Sequence, residues 1–178
     1  MVLPSTGYFD NFHSMLSPQT DKDDRSQWYG WSQSWWGALL VAPVASDGGH
    51  ENAAIDGDPG MTTMMLQPTV AITTWKHSWD TGPEIDSGVA PAIGQSVLIV
   101  WEVNGTSSWL DVTYRDATGV HTSHVTGAQA NGVLNVLHSG WSHMNETATL
   151  GLARGNCDPD TLARLHEWAT PYLTAPAT

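Results

Sequence analysis

The chain has 178 residues, a length that suits one domain with a buried core and room for an extended arm. Six Lys+Arg stand against eighteen Asp+Glu, a net charge of −12. That balance excludes phosphate-backbone binding, which needs clustered cations, and argues against docking on an anionic membrane.

Residues 1–34 show no sustained apolar periodicity and contain Pro4, Gly7, Pro18 and the charged run Asp21-Lys22-Asp23-Asp24-Arg25. They read as an irregular, Trp-rich N-terminal arm. The first six residues, Met1-Val2-Leu3-Pro4-Ser5-Thr6, lack a charged n-region and an apolar h-region, so no signal peptide is expected. Trp35 to Val44 fits a buried strand ending at Pro43. Residues 45–60 read as a loop, with Asp47-Gly48-Gly49 and Asp56-Gly57-Asp58-Pro59-Gly60. Two β-type runs follow, over 62–66 and 69–76, and then a second loop over 77–94.

The second half is more regular. Val97-Leu98-Ile99-Val100-Trp101 is an apolar run of strand length, and Asn104-Gly105 predicts a type I′ hairpin turn. In the return strand 109–115, Leu110, Val112 and Tyr114 alternate with Asp111, Thr113 and Arg115, and Trp109 falls on the polar, outward face. A turn at 116–119 leads into a half-exposed polar strand over 120–125, then strands over 133–137 and around 147–152. The longest apolar runs, near 38–45 and 97–101, are far too short for a membrane span.

About eight short strands with turn punctuation predict a mainly β fold, an antiparallel β-sandwich of jelly-roll type, over 35–156. Residues 157–178 then hold one short helix and a tail. Asp158 is the cap, Pro159 the first helical residue, and Pro171 the stop. Leu162, Leu165 and Ala169 recur at helical spacing, and this helix should cover a sheet edge or one end of the sandwich.

Ten tryptophans against two phenylalanines are the strongest compositional bias. Trp28, Tyr29, Trp31, Trp35 and Trp36 cluster where the arm meets the first strand. Trp28, Trp31 and Trp35 would also share one face of a helix. Aromatics of this kind anchor an arm to its own domain or to a neighbouring subunit. Flat rings with a polar edge can instead form a sugar platform, and Trp109 is a further candidate.

His121 and His124 lie three apart in one strand and so point to opposite faces. His138 and His143 flank Gly140-Trp141 and could meet a carboxylate such as Glu146, the minimum for a hydrolase reading. Asp56 and Asp58, with Asp47 and Glu51, are candidate calcium ligands, although the twelfth loop position is Gln67 rather than the Glu of an EF-hand. Cys157 is the sole cysteine. It excludes a disulfide framework and Cys-based zinc, and only Arg154 is near to activate it. No G-x-S-x-G, P-loop or dinucleotide fingerprint occurs, and no cofactor is implied. Two glycosylation sequons, at Asn104 and Asn145, read as chance matches without a secretory signal.

The Trp-rich arm at 28–36, with Thr/Ala/Gly/Val-rich strands and scarce lysine, resembles accessory virion proteins of tailed phages that infect high-GC actinobacteria, of the minor tail or capsid-decorating kind. The resemblance is one of style across the whole chain and transfers no functional residue. It implies a non-enzymatic assembly protein located in the virion. Its partners would be neighbouring subunits and further copies of itself. A carbohydrate-binding module is the alternative, and a His/carboxylate hydrolase the third reading.

Overall fold

The computed structural model describes residues 13–16, 27–31, 34–42, 53–56, 63–65, 71–75, 85–127, 134–139 and 149–176. Its side chains are described for 34–42, 71–74, 85–127, 153 and 155–176. In chain order the strands are β1 (His13–Leu16), β2 (Gln27–Trp31), β3 (Trp35–Val41), β4 (Ala53–Asp56), β5 (Thr63–Met65), β6 (Thr73–Trp75), β7 (Ile85–Asp86), β8 (Val97–Val103), β9 (Ser108–Arg115), β10 (Val120–Gly127), β11 (Leu134–Ser139) and β12 (Thr149–Arg154). One helix, α1 (Pro159–Ala169), follows. The strands form two six-stranded sheets, ordered β1-β12-β3-β8-β9-β10 and β2-β11-β4-β5-β6-β7. Every strand pair is antiparallel.

The apolar run of β8 has the physical cause expected of such runs. All seven of its residues are buried, because the centre of the first sheet is covered on both faces. On one face Trp35, Leu39 and Val41 of β3 pack with Val97, Ile99, Trp101 and Val103 of β8 and with Leu110 and Val112 of β9. Ile72 and Ile85, from the β6–β7 end of the second sheet, complete this cluster. Trp35 meets Trp101 edge to face at 6.2 Å, a favoured geometry for two aromatic quadrupoles.

The opposite face of the same sheet carries Trp36, Ala38, Leu98 and Val100, and α1 lays Leu165 and Ala169 on it, with Leu173 just beyond. Asp158 caps this helix by accepting the Thr161 N–H at 2.9 Å and the Thr161 hydroxyl at 2.7 Å. Pro159 begins the helix, where its missing N–H costs nothing. Arg115 fastens the far end, donating to the carbonyl oxygens of Leu173 and Thr170.

Several expectations need correction. The segment 1–34 is not wholly irregular, since β1 pairs with β12 and β2 with β11. Trp28, Tyr29 and Trp31 therefore sit on a strand, which removes the helical-face alternative. The expected loops over 45–60 and 77–94 contain β4 and β7. The turn after β8 is not type I′, because Asn104 has φ −147° and a 3-10 turn over Gly105–Ser107 follows. Ser108 organises that turn: its Oγ accepts the Asn104 N–H and donates to the Gly105 carbonyl. The helix covers a sheet face rather than an edge. No helix among the described residues is long and apolar enough to cross a membrane.

Candidate functional site

The face under α1 holds more than apolar side chains. Period-2 alternation sends Glu102 of β8, Trp109 and Asp111 of β9, and His124 of β10 to this side. Register places Glu102 opposite Trp109, and Asp111 opposite both Val100 and His124. Helical spacing then sets His166 of α1 over the same spot, one position after the buried Leu165.

Asp111 is the centre of this cluster and is almost fully buried. The His124 Nδ1–H donates to its Oδ1. The His166 Nε2 lies 3.8 Å from its Oδ2, too far for a hydrogen bond, and that nitrogen is buried without a partner. Burial holds the His166 imidazole below its ordinary value, and the Asp111 charge opposes this only in part. His124 is half exposed, and its ring leans on Trp109 at 5.9 Å.

Glu102 is buried beside them. Its Oε2 accepts the Cys157 N–H at 2.8 Å and its Oε1 accepts from the Asn104 side-chain amide at 3.4 Å. Burial pushes the Cys157 thiol up to about 12, and Asp158, Glu102 and Asp111 add to the effect. A thiolate is the reactive form, so this sulfur is inert at neutral pH, as its sparse cationic surroundings suggested.

The chemistry of the arrangement is that of an oriented imidazole. A buried carboxylate fixes the His124 ring through Nδ1 and so sets the direction in which its Nε2 points. The neighbouring hydroxyls do not face it as a nucleophile would: Thr122 and Thr113 are hydrogen-bonded to each other at 2.9 Å. Among the described residues, no group of three or more His, Cys, Asp or Glu side chains could hold a metal ion.

A second imidazole–carboxylate pair lies on the other face of β10, as the three-residue spacing required. His121 Nε2 is 3.0 Å from Asp116 Oδ1 and its ring packs on Tyr114. Asp116 also accepts the Thr118 hydroxyl and the Thr118 and Gly119 N–H groups. The Thr118 hydroxyl and then the Thr118 N–H lower its carboxyl to about 2. This is a turn-stabilising carboxylate, and Gly119, at φ +147°, supplies the backbone the turn demands.

The aromatic candidates divide. Trp35 and Trp36 are core residues, 0% and 4% exposed, so neither presents a ring to a partner or a sugar. Trp109 is not on an outward face as expected, because α1 covers the side it shares with Asp111 and Thr113, both nearly fully buried. It packs at the rim of the helix-side cluster and remains half-buried. Trp28, Tyr29 and Trp31 lie on β2, and their side chains are outside the described ones. Asp56 ends β4, where register sets it opposite His138 of β11. Asp47, Glu51, Asp58 and His143 lie outside the described residues. No protein-family model matches this sequence and no curated protein matches it.

Proposed function

We propose that the chain is a non-enzymatic assembly component of a virion, a jelly-roll β-sandwich that docks to neighbouring subunits of a phage tail or capsid. One observation carries this reading, the strand order. Within the two sheets, β1-β12-β3-β8 and β2-β11-β4-β5 interleave early and late strands as the double Greek key of a jelly roll does. That architecture recurs in capsid and lectin domains. The remaining strands extend the same two sheets outward, β9 and β10 from β8, and β6 and β7 from β5. The chemistry of the helix-side cluster agrees with a structural role. Its carboxylates are spent on a backbone N–H, an amide and an imidazole, and its thiol is unreactive.

Two measurements test the reading together. Mass spectrometry of purified particles from producing cells should find the chain, and light scattering should find it associated. A strict monomer absent from every particle overturns it.

A glycan-binding reading has one observation in its favour: half-buried Trp109 beside the half-exposed His124 ring, on a fold type shared with lectins. Binding on a glycan array that is lost in Trp109→Ala would support it. A flat array with no change in tryptophan fluorescence on adding sugars removes it.

A further inference from the structure

Among the described strands, β10 is the longest with a strand partner on one side only. It stands last in the first sheet beside β9, and its Ser123 hydroxyl donates to the Ser87 carbonyl just after β7. Folded proteins blunt such edges with short strands, bulges, proline or charge. Among the described residues the other edge strands are shorter: β1 has four residues, β2 five and β7 two. β10 has eight, Val120-His121-Thr122-Ser123-His124-Val125-Thr126-Gly127, with no proline, no lysine and no carboxylate. Its register with β9 runs unbroken from Val120 to Gly127, without a bulge to twist the edge away.

A second observation lies at the start of this strand. Val120, Ile93 and Tyr172 are the exposed large hydrophobics of the described chain, at 38%, 54% and 39%. Hydrogen bonds gather all three at one corner. Val120 pairs in register with Arg115, whose guanidinium holds the carbonyls of Thr170 and Leu173 on either side of Tyr172. The Arg115 carbonyl accepts from Gln95, and Thr174 donates to Gly94, next to Ile93.

We infer that β10 is the self-association strand, pairing antiparallel with β10 of a second copy across a two-fold axis to make one continuous sheet. The partner is a second copy for two reasons. Antiparallel self-pairing supplies an edge of equal length, which β1, β2 and β7 do not offer. Charge selects the same place. Two chains of net charge −12 repel, and β10 adds no carboxylate of its own where they would close, the two its imidazoles hold being the buried Asp111 and the turn-bound Asp116. The apolar corner of each copy then flanks the partner's strand. This inference rests on the assembly reading and names the interface it needs.

The test is light scattering on the intact chain over a wide concentration range, with Thr126→Lys and Val120→Lys on the edge strand and Ala163→Lys on the exposed side of α1. Any added lysine lowers the net negative charge and so relieves general repulsion. Loss of the dimer in Thr126→Lys and Val120→Lys, with the dimer kept in Ala163→Lys, is the expected result. Amide exchange on the unmodified chain gives an independent reading: β10 protection should rise with concentration. A monomer at every concentration, or a dimer that survives both edge substitutions with β10 exchange independent of concentration, overturns the inference. A monomer still found in particles removes β10 pairing and leaves the assembly reading standing. A β10-dependent dimer absent from particles does the reverse.

Discussion

Removing the Leu165 side chain is the sharpest test of how α1 sits on the first sheet. Leu165 is 1% exposed and packs among Trp36, Ala38, Leu98, Val100, Ala153 and Ala169. Leu165→Ala deletes three carbons, worth about 2.4 kcal/mol of transfer free energy at ~0.8 per methylene. Three of the neighbours are alanines (Ala38, Ala153 and Ala169), which have no rotamers with which to fill the space. The cavity therefore persists and raises the cost to about 3–4 kcal/mol. Leu162 lies one turn earlier and is only half-buried. Its truncation opens to solvent rather than leaving a void, and should cost about 1 kcal/mol. With a urea slope of about 2 kcal/mol/M, the midpoint should fall by about 1.5–2 M for Leu165→Ala and about 0.5 M for Leu162→Ala. Leu165→Met, which conserves volume, should stay close to the parent. Equal shifts for the two alanine variants, or a larger one at Leu162, would refute this seating of the helix.

Four further outcomes follow from the same geometry. The folded pKa of His166 is lowered, so its contribution to stability is complete above the ordinary imidazole value of ~6.5 and declines as pH falls through it, where the unfolded chain takes up the proton first. The groups facing this ring are Asp111 of β9 and, behind it, His124 of β10; urea midpoints at neutral and mildly acidic pH should differ less in His166→Gln than in the parent. The folded pKa values of Asp116 and Asp158 are depressed, so their stabilisation holds above ~4 and is lost as pH falls further, toward about 2 for Asp116; Asp116→Asn should flatten an acid titration followed by circular dichroism in that range. Cys157 should resist a thiol reagent at mildly alkaline pH in the native chain and react at once in urea; rapid native labelling would contradict its burial beside Glu102. Arg115→Met removes both hydrogen bonds to the segment after α1 and should speed amide exchange over 170–174 while leaving β8 and β9 protected; unchanged exchange there would refute the latch.

Much of the fold was legible because local rules agreed with the tertiary result. The alternation of Leu110, Val112 and Tyr114 is the core face of β9, and Asp158-Pro159 starts α1 where the capping rule places it. What failed was the assignment of the opposite face. Asp111 and Thr113 read as solvent-facing because a polar residue on an alternating strand usually is. Nothing near them in sequence shows that α1, some fifty residues later, lies over them. The Asp111, His124 and His166 cluster was hidden for the same reason. Two of its members meet through hairpin register and the third arrives on a helix, so no fixed spacing marks it. β4 and β7 were missed because strands of four and two residues among Gly, Asp and Pro carry too few positions for a period to show. The tryptophan cluster misled differently. Trp35 and Trp36 adjoin Trp28 and Trp31 in sequence, but alternation drives the first pair to opposite faces of β3, into two separate cores.

The scarcity of cations, first met as an exclusion of nucleic acid, has a structural counterpart inside the molecule. Six Lys+Arg cannot neutralise eighteen Asp+Glu, and a carboxylate with no partner is costly to bury. Of the two buried carboxylates described, Glu102 takes a backbone N–H and an amide, and Asp111 an imidazole. The more exposed Asp116, Asp158 and Asp86 are held in a similar way by local N–H and hydroxyl donors. Such bonds hold a carboxylate at fixed geometry without the reach and rotamer entropy of a lysine. With so few cations, the proposed pairing of like chains along β10 would draw on neutral backbone rather than on salt bridges.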